Sequence, residues 1–257
     1  MGGFYFDSDA RSALGLVRSG NEDSAFVSGR LIAVADGMGG HAGGEVASRI
    51  AITTLQSMAP MLTNEAIDSD STHDLLLNSL HTIDSEIGDY AREAIELRGM
   101  GTTLTSLMIH SDVVALLHVG DSRCYRLRGN TMEQLSNDHT VIQELLSQGA
   151  ISPAEALDHP QRSVLTQALM GEGNVVPVLQ IFEAKEGDRY LLCSDGLSSV
   201  LTEKEIKSLL KKSDRSDALK ALIDATYING APDNVTVIVA DITGEEVTTN
   251  EVLGAAQ

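Results

Sequence analysis

LIAVADGMGGHAGGEVASRIAITTLQSM, residues 31–58 of a 257-residue chain, changes its periodicity halfway along. Residues 31–35 are an apolar β-forming run, and residues 44–58 carry apolar positions at helical spacing with Pro60 beyond their end. Asp36 and a run of glycines join the two. The same alternation recurs outward in both directions. Short runs rich in Val, Ile and Leu stand at 102–110, 113–119, 124–128, 175–182, 190–193 and 235–240. Several are followed at once by Asp-Gly, Gly-Asp or Gly-Asn, which allow tight turns, and strands this close must pair antiparallel. Residues 72–97 form the longest helical pattern, with Leu76, Leu80, Ile83, Ile87, Tyr90 and Ala94 on one face, and 202–212 and 214–228 give two more. The expected fold is α+β, a four-layer α-β-β-α sandwich of two stacked antiparallel sheets flanked by helices.

The chain reads as one domain over residues 1–240. Residues 64–74 are polar and acidic and read as a surface loop. Residues 241–257 read as a polar tail with little to bury, or the start of a linker if the chain is part of something longer.

Composition narrows the function classes. Apolar residues at 42% and charged residues at 21% describe a globular core, built on aliphatic side chains because aromatics are 4% and Trp is absent. A formal net charge of −19 argues against nucleic acid or an anionic membrane as partner, since both need clustered Lys and Arg. Cys124 and Cys193, the only cysteines, sit in apolar runs and read as buried thiols. The opening MGGFYFDSDARS lacks a basic segment followed by an apolar one, and no stretch nears the roughly 20 apolar residues of a membrane span. The expectation is a cytoplasmic monomer, tethered to a membrane only if an anchor lies beyond residue 257.

The aspartates carry the chemistry. Asp36 ends LIAVAD, Asp121 ends LLHVGD, Asp195 ends YLLCSD, and Asp233 precedes VTVIVA. Any one alone reads as an ordinary turn residue. Four at the tips of apolar strands, with Glu22 and Asp23 early in the chain, read as oxygen donors for a hard divalent cation, which takes carboxylates and keeps several waters. The seven His and two Cys show no zinc-ligand spacing, and no calcium-binding loop is present. The glycines of GMGGHAGG (37–44) suit a close backbone approach to a metal or ligand but are no P-loop, and they place His41, on its own a turn histidine, a few residues from Asp36.

RSGNED (18–23), VADGMGGHAGGEVAS (34–48), GMGTTL (99–104), HVGDSR (118–123), LSNDHT (135–140), VLTQAL (164–169), LLCSDGLS (191–198) and APDNVTVIV (231–239) follow one another in an order that resembles the bacterial PPM-family phosphatases, the metal-dependent type 2C enzymes. The resemblance spans about residues 11–240. It implies the same stacked-sheet fold and hydrolysis of phosphoserine or phosphothreonine in proteins by a hydroxide activated between two Mn²⁺ or Mg²⁺ ions. It implies that Asp36 bridges the two metals, with the Gly37 carbonyl completing one shell. Asp195 and Asp233 hold the other, and Asp23 bonds metal-bound waters with Glu22 and Asn234 beside it. Asp121 with Asp195 would bind a third, weaker metal. Arg18 would grip the substrate phosphate and His41 would be the general acid. Residues 141–163 would form a mobile flap, and the phosphoprotein partners would include a Ser/Thr kinase. One departure from the family pattern, Met170 before Gly171 after VLTQAL, puts the local turn in question. The rival readings are a phosphohydrolase of small metabolites, a catalytically dead phosphoprotein-binding module, and an acidic scaffold.

Overall fold

The computed structural model describes residues 3–39, 43–157 and 159–257. One sheet orders β1 (Tyr5–Ala13), β11 (Val235–Thr243), β10 (Arg189–Cys193), β7 (Arg123–Arg128) and β8 (Thr131–Gln134). The other orders β12 (Asn250–Gly254), β2 (Asp23–Ser28), β3 (Leu31–Met38), β5 (Leu104–His110), β6 (Val113–Val119) and β9 (Val178–Glu183), with the short β4 (Gly101–Thr102) against the end of β3. These strand pairs are antiparallel throughout. Helices α1 (Gly43–Leu62) and α2 (Ser69–Glu93) pack on the outer face of the second sheet. Helices α5 (Asp195–Ser198), α6 (Glu203–Leu210) and α7 (Arg215–Ile228) follow the first sheet's β10, and their apolar residues cover its outer face. The short α3 (Val141–Ser147) and α4 (Pro153–Leu157) lie in the connection from β8 to β9. This is the expected α-β-β-α sandwich.

The layers follow from which way each strand residue points. Along β3, Leu31, Ala33 and Ala35 pack into the helix-side cluster, while Ile32 and Val34 join Phe6, Leu192 and Ile238 between the sheets. Along β11, Val235, Val237 and Val239 meet the helices and Ile238, Ala240 and Ile242 point inward. Both faces of such strands are covered, so they read as unbroken apolar runs instead of alternating ones. Cys124 is in the inter-sheet core and Cys193 in the outer one; both are free and buried, as expected.

Helix ends are set by local capping. Asp68 accepts a hydrogen bond from the Ser71 N–H at 3.0 Å and starts α2 at Ser69, inside the stretch expected to be a loop. The apolar stripe of α2 is buried at Leu76, Leu80, Ile83 and Ile87, but Tyr90 is 52% exposed and Ala94 lies past the helix end. Helix α1 runs on to Leu62 and includes Pro60, which the sequence places beyond the end. Thr202 with Glu205 forms a capping box on α6, and Asp214 caps α7.

Strands β1, β2, β8 and β12 have no counterpart in the sequence expectations. Among them β1 is half-buried with Arg11 exposed, a polar edge strand whose hydrogen bonds to β11 define it more than its side chains do. In residues 241–257, expected as a polar tail, β11 extends to Thr243 and β12 pairs with β2 from Asn250↔Ser28 to Gly254↔Ser24.

Ile238 is completely buried between the sheets. Ile238→Ala is expected to lower the free energy of unfolding by about 2–5 kcal/mol in urea titrations. The same change at Ile228, which is 84% exposed, should stay within about 0.5 kcal/mol.

Candidate active site

The strand tips gather at one end of the sandwich. The β2–β3 register sets Asp23 directly opposite Asp36. Asp36 is held by its backbone: its N–H donates to Thr103 Oγ1 at 3.0 Å, and its carbonyl accepts from the Thr103 N–H at 2.9 Å and Thr102 Oγ1 at 3.0 Å. Asp195, the first residue of α5, directs its N–H at Asp36 Oδ2, at 3.4 Å. Asp233 lies just before β11, where Oδ1 accepts from the Asn234 N–H at 2.8 Å and Oδ2 meets Arg18 Nη2 at 2.5 Å. Asp121 follows Gly120, whose φ of +106° and close packing on Thr103 leave no room for a side chain.

Arg18, Glu22, Asp36, Gly37, Asp121, Asp195 and Asp233 line one cavity of about 680 Å³. Asp23 is 1% exposed and sits behind that lining, its Oδ2 accepting from Ser194 Oγ at 2.7 Å. Asn234 fastens the loop before β2 to the start of β11, with Oδ1 accepting from the Glu22 N–H at 2.9 Å and Nδ2 donating to the Gly20 carbonyl at 3.0 Å. At Gly37 the chain passes so near Gly44 and Glu22 that a Cβ would overlap both carbonyl oxygens, so this glycine serves a close approach of backbone to backbone. His41 lies outside the described residues.

Electrostatics here is dominated by burial and like charge. Burial pushes the Asp23 carboxyl up to about 7 against the hydrogen bonds it receives, and Asp195 and Asp233 add to the rise. Asp121 is likewise pushed up to about 7, by burial first and then by Asp195 and Asp138. Asp36 is raised well above the usual carboxylate range by burial and by Asp23, Asp195, Asp121 and Asp233 around it. Burial, then Asp233, raises Asp195, and burial raises Glu22. Arg18, held by Asp233, is the one basic side chain among the described lining residues.

The donor set fits hard divalent cations. The lining offers carboxylates and backbone carbonyls but, among the described residues, no imidazole or thiolate. Among those residues no group of three or more His, Cys, Asp or Glu side chains is gathered closely enough to hold an ion by itself.

Several members of this region had no role in the sequence reading. Thr103 Oγ1 is 2.8 Å from Ser122 Oγ, a buried hydroxyl pair under Asp36. His118 and His139 lie with ring centroids 4.9 Å apart and tilted; burial lowers both, His118 to about 3, and His139 Nδ1 accepts from the Gly120 N–H at 3.1 Å. The far wall is the segment from Ser163 to Val175, including Gln167, Met170, Glu172 and Asn174. Its only sequence signal is the VLTQAL motif, which says nothing of what holds the segment in place.

Comparison with known proteins gives a consistent picture. The protein phosphatase 2C family profile matches residues 19–226. The serine/threonine protein phosphatase PstP of Mycobacterium tuberculosis is 43% identical over 236 residues, which cover 91% of this chain and 44% of PstP. The chain therefore spans less than half the length of that relative. The serine/threonine phosphatase stp of Listeria welshimeri is 36% identical over 241 residues, covering 91% of this chain and 95% of stp. A crystal structure of the PstP catalytic domain in complex with two manganese ions superimposes with a TM-score of 0.85 at 39% identity, covering 93% of this chain and 99% of that one.

The raised Asp23 carboxyl makes stability depend on pH when divalent cations are chelated. The unfolded chain releases this proton near pH 4, the folded chain only near 7, so between those values the folded state binds more protons and stability falls as pH rises. Asp23→Asn is expected to remove a slope of up to about 1.4 kcal/mol per pH unit in that window, read as the difference between the two proteins in urea unfolding with EDTA. A difference that is flat from pH 4 to 7 would contradict the buried-carboxylate account.

Proposed function

The chain belongs to the protein phosphatase 2C family, and on that premise we propose that it is a metal-dependent phosphatase of phosphoserine and phosphothreonine in proteins. The observation that carries this reading is the convergence of Glu22, Asp36, Asp121, Asp195 and Asp233 on one cavity with a single arginine. Asp36 with the Gly37 carbonyl, Asp195 and Asp233 would hold two Mn²⁺ or Mg²⁺ ions, with Asp23 adding charge from behind. Asp121 and Asp195 would hold a third, weaker ion. When bound, such cations would supply hydroxide at neutral pH and offset the charge of a phosphate dianion.

The chain's own residues do the positioning. Arg18 is 48% exposed beside Asp233, so its forked guanidinium stands at the cavity mouth, where it fits two oxygens of a phosphate monoester. Asn234 keeps the Glu22 loop and the Asp233 turn in fixed relation. His41 is the general acid of this reading, a role that suits an imidazole near its ordinary pKa. Burial pushes the Cys193 thiol up to about 12 and Cys124 higher still, which favours direct hydrolysis over a cysteinyl-phosphate route.

The reading extends to residues 141–163 as a flap over the substrate. Val141 N–H donates to the Val164 carbonyl at 2.9 Å, and Ser163 at the end of this stretch lines the cavity, so movement there would reach the substrate. It extends also to a cytoplasmic monomer that opposes a Ser/Thr kinase. No described helix is long and apolar enough to cross a membrane.

The test is phosphate release from a phosphothreonine peptide. Turnover is expected with Mn²⁺ and abolished by EDTA, and Asp36→Ala and Asp195→Ala should each cost several orders of magnitude in kcat/KM. Arg18→Ala, which keeps every carboxylate but leaves Asp233 without its ion-pair partner, should raise KM about tenfold or more. Near-wild-type turnover by Asp36→Ala would sink the proposal.

A further inference from the structure

Asp84 lies within α2, outside the set of carboxylates that line the cavity, and is 3% exposed. Its hydrogen bonds go to main-chain amides of one loop. Oδ1 accepts from Met170 N–H at 3.0 Å and Gly171 N–H at 2.8 Å, and Oδ2 accepts from Gly173 N–H at 2.8 Å. Three amides closing on one carboxylate form a small anion nest filled by the protein itself. One helical turn on, Gly88 meets Gly171 so tightly that a Cβ on either would collide with the other's backbone. Gly171 and Gly173 have φ of +75° and +69°, which any other residue would adopt only with strain. Met170 ahead of Gly171, the departure from the family pattern, is thus accommodated: the Met170 N–H is one of the three that Asp84 holds.

This loop depends on that one side chain to an unusual degree. Leu169 is paired in both directions with Thr102, at 2.9 and 3.0 Å, and β9 begins at Val178. Between them, residues 170–177 make no backbone–backbone hydrogen bond among the described residues. Beyond the three bonds to Asp84, their main-chain N–H groups find among the described residues only Gln167 Oε1, which accepts from Val176 N–H at 3.0 Å. Yet Met170, Glu172, Asn174 and Val175 form the cavity wall that faces the carboxylates.

We propose that Asp84 is a positioning residue that fixes this wall, and that the wall, resting on the phosphatase reading above, meets the polypeptide flanking the phosphorylated residue. A substrate chain gains affinity from a surface already held in its binding shape, since no loop must be ordered on binding. Asp84 is not among the residues that line the cavity. Its loss therefore acts on how well a long substrate binds more than on the chemical step. An asparagine at this position keeps one acceptor oxygen for two of the amides but turns an N–H₂ towards the third, so Asp84→Asn is a graded variant.

The experiment compares wild type, Asp84→Ala and Asp84→Asn by amide hydrogen exchange and by steady-state kinetics with Mn²⁺. The substrates are a phosphothreonine peptide of about ten residues and p-nitrophenyl phosphate, which has no flanking chain. Asp84→Ala is expected to speed exchange at Met170, Gly171 and Gly173 about tenfold or more, with the amides of β3 and β11 as protected as in wild type. It is expected to raise the peptide KM about tenfold while kcat changes less than about twofold, with a smaller effect on p-nitrophenyl phosphate and Asp84→Asn in between. Unchanged exchange in the loop overturns the anchoring, and a fall in kcat matching the rise in KM overturns the positioning role in favour of general disruption. If Asp84→Ala fails to fold, Asp84→Asn decides by the same two readouts. If wild type releases phosphate from neither substrate, the phosphatase reading fails, and loop exchange still decides whether Asp84 anchors the wall.

Discussion

Asp23 and Asp36 stand opposite one another on adjacent antiparallel strands, where like charges sit close enough to repel, and Asp195, Asp233 and Asp121 add to the crowd. The rest of this end of the molecule is arranged around that repulsion. Serine and threonine hydroxyls and backbone amides are spent on the carboxylates and on the chain that bears them: Ser194 on Asp23, Thr102 and Thr103 on the Asp36 backbone, Asn234 on the Glu22 loop. Those contacts hold the groups in place without cancelling their charge, and burial still raises Asp23, Asp36, Asp121 and Asp195. A scaffold that is rigid beneath and electrostatically unfinished on top is primed for cations.

The hydrophobic layering makes that rigidity available. Alternate residues of β3 and β11 bury on opposite faces, so each strand that delivers an aspartate is gripped from both sides by aliphatic packing. The aspartates need no packing of their own, because each stands at the point where its strand runs out of core.

That logic also decides what could be read from the amino-acid order. The layer architecture was legible because apolar runs bounded by Gly-Asp turns force antiparallel pairing, and the aspartates' place at strand tips marked them as sharing one end. Elements defined by backbone bonding were not legible: β1 alternates too weakly, β12 is five residues long with only Val252 and Leu253 to pack, and the start of α2 hides in a stretch that looks like a loop until Asp68 is seen capping it. Asp84 was invisible for a related reason. Inside a helix, DSEIG reads as an ordinary solvated turn, and only the fold brings the amides of residues 170, 171 and 173 to it.

The pairing of β12 with β2 reaches further than an extra strand. Its last register position is beside the aspartate row, and the Ala255 N–H donates to the carbonyl of Asp23 itself at 2.8 Å. A fragment cut at the natural-looking boundary near residue 240 would strip that partner away and leave β2 as a bare edge, with unpaired amides open to another chain's strand. Self-association through that edge would fall beside the acidic cavity, so a shortened protein could close off that cavity by stacking with its own copies while every carboxylate remained intact.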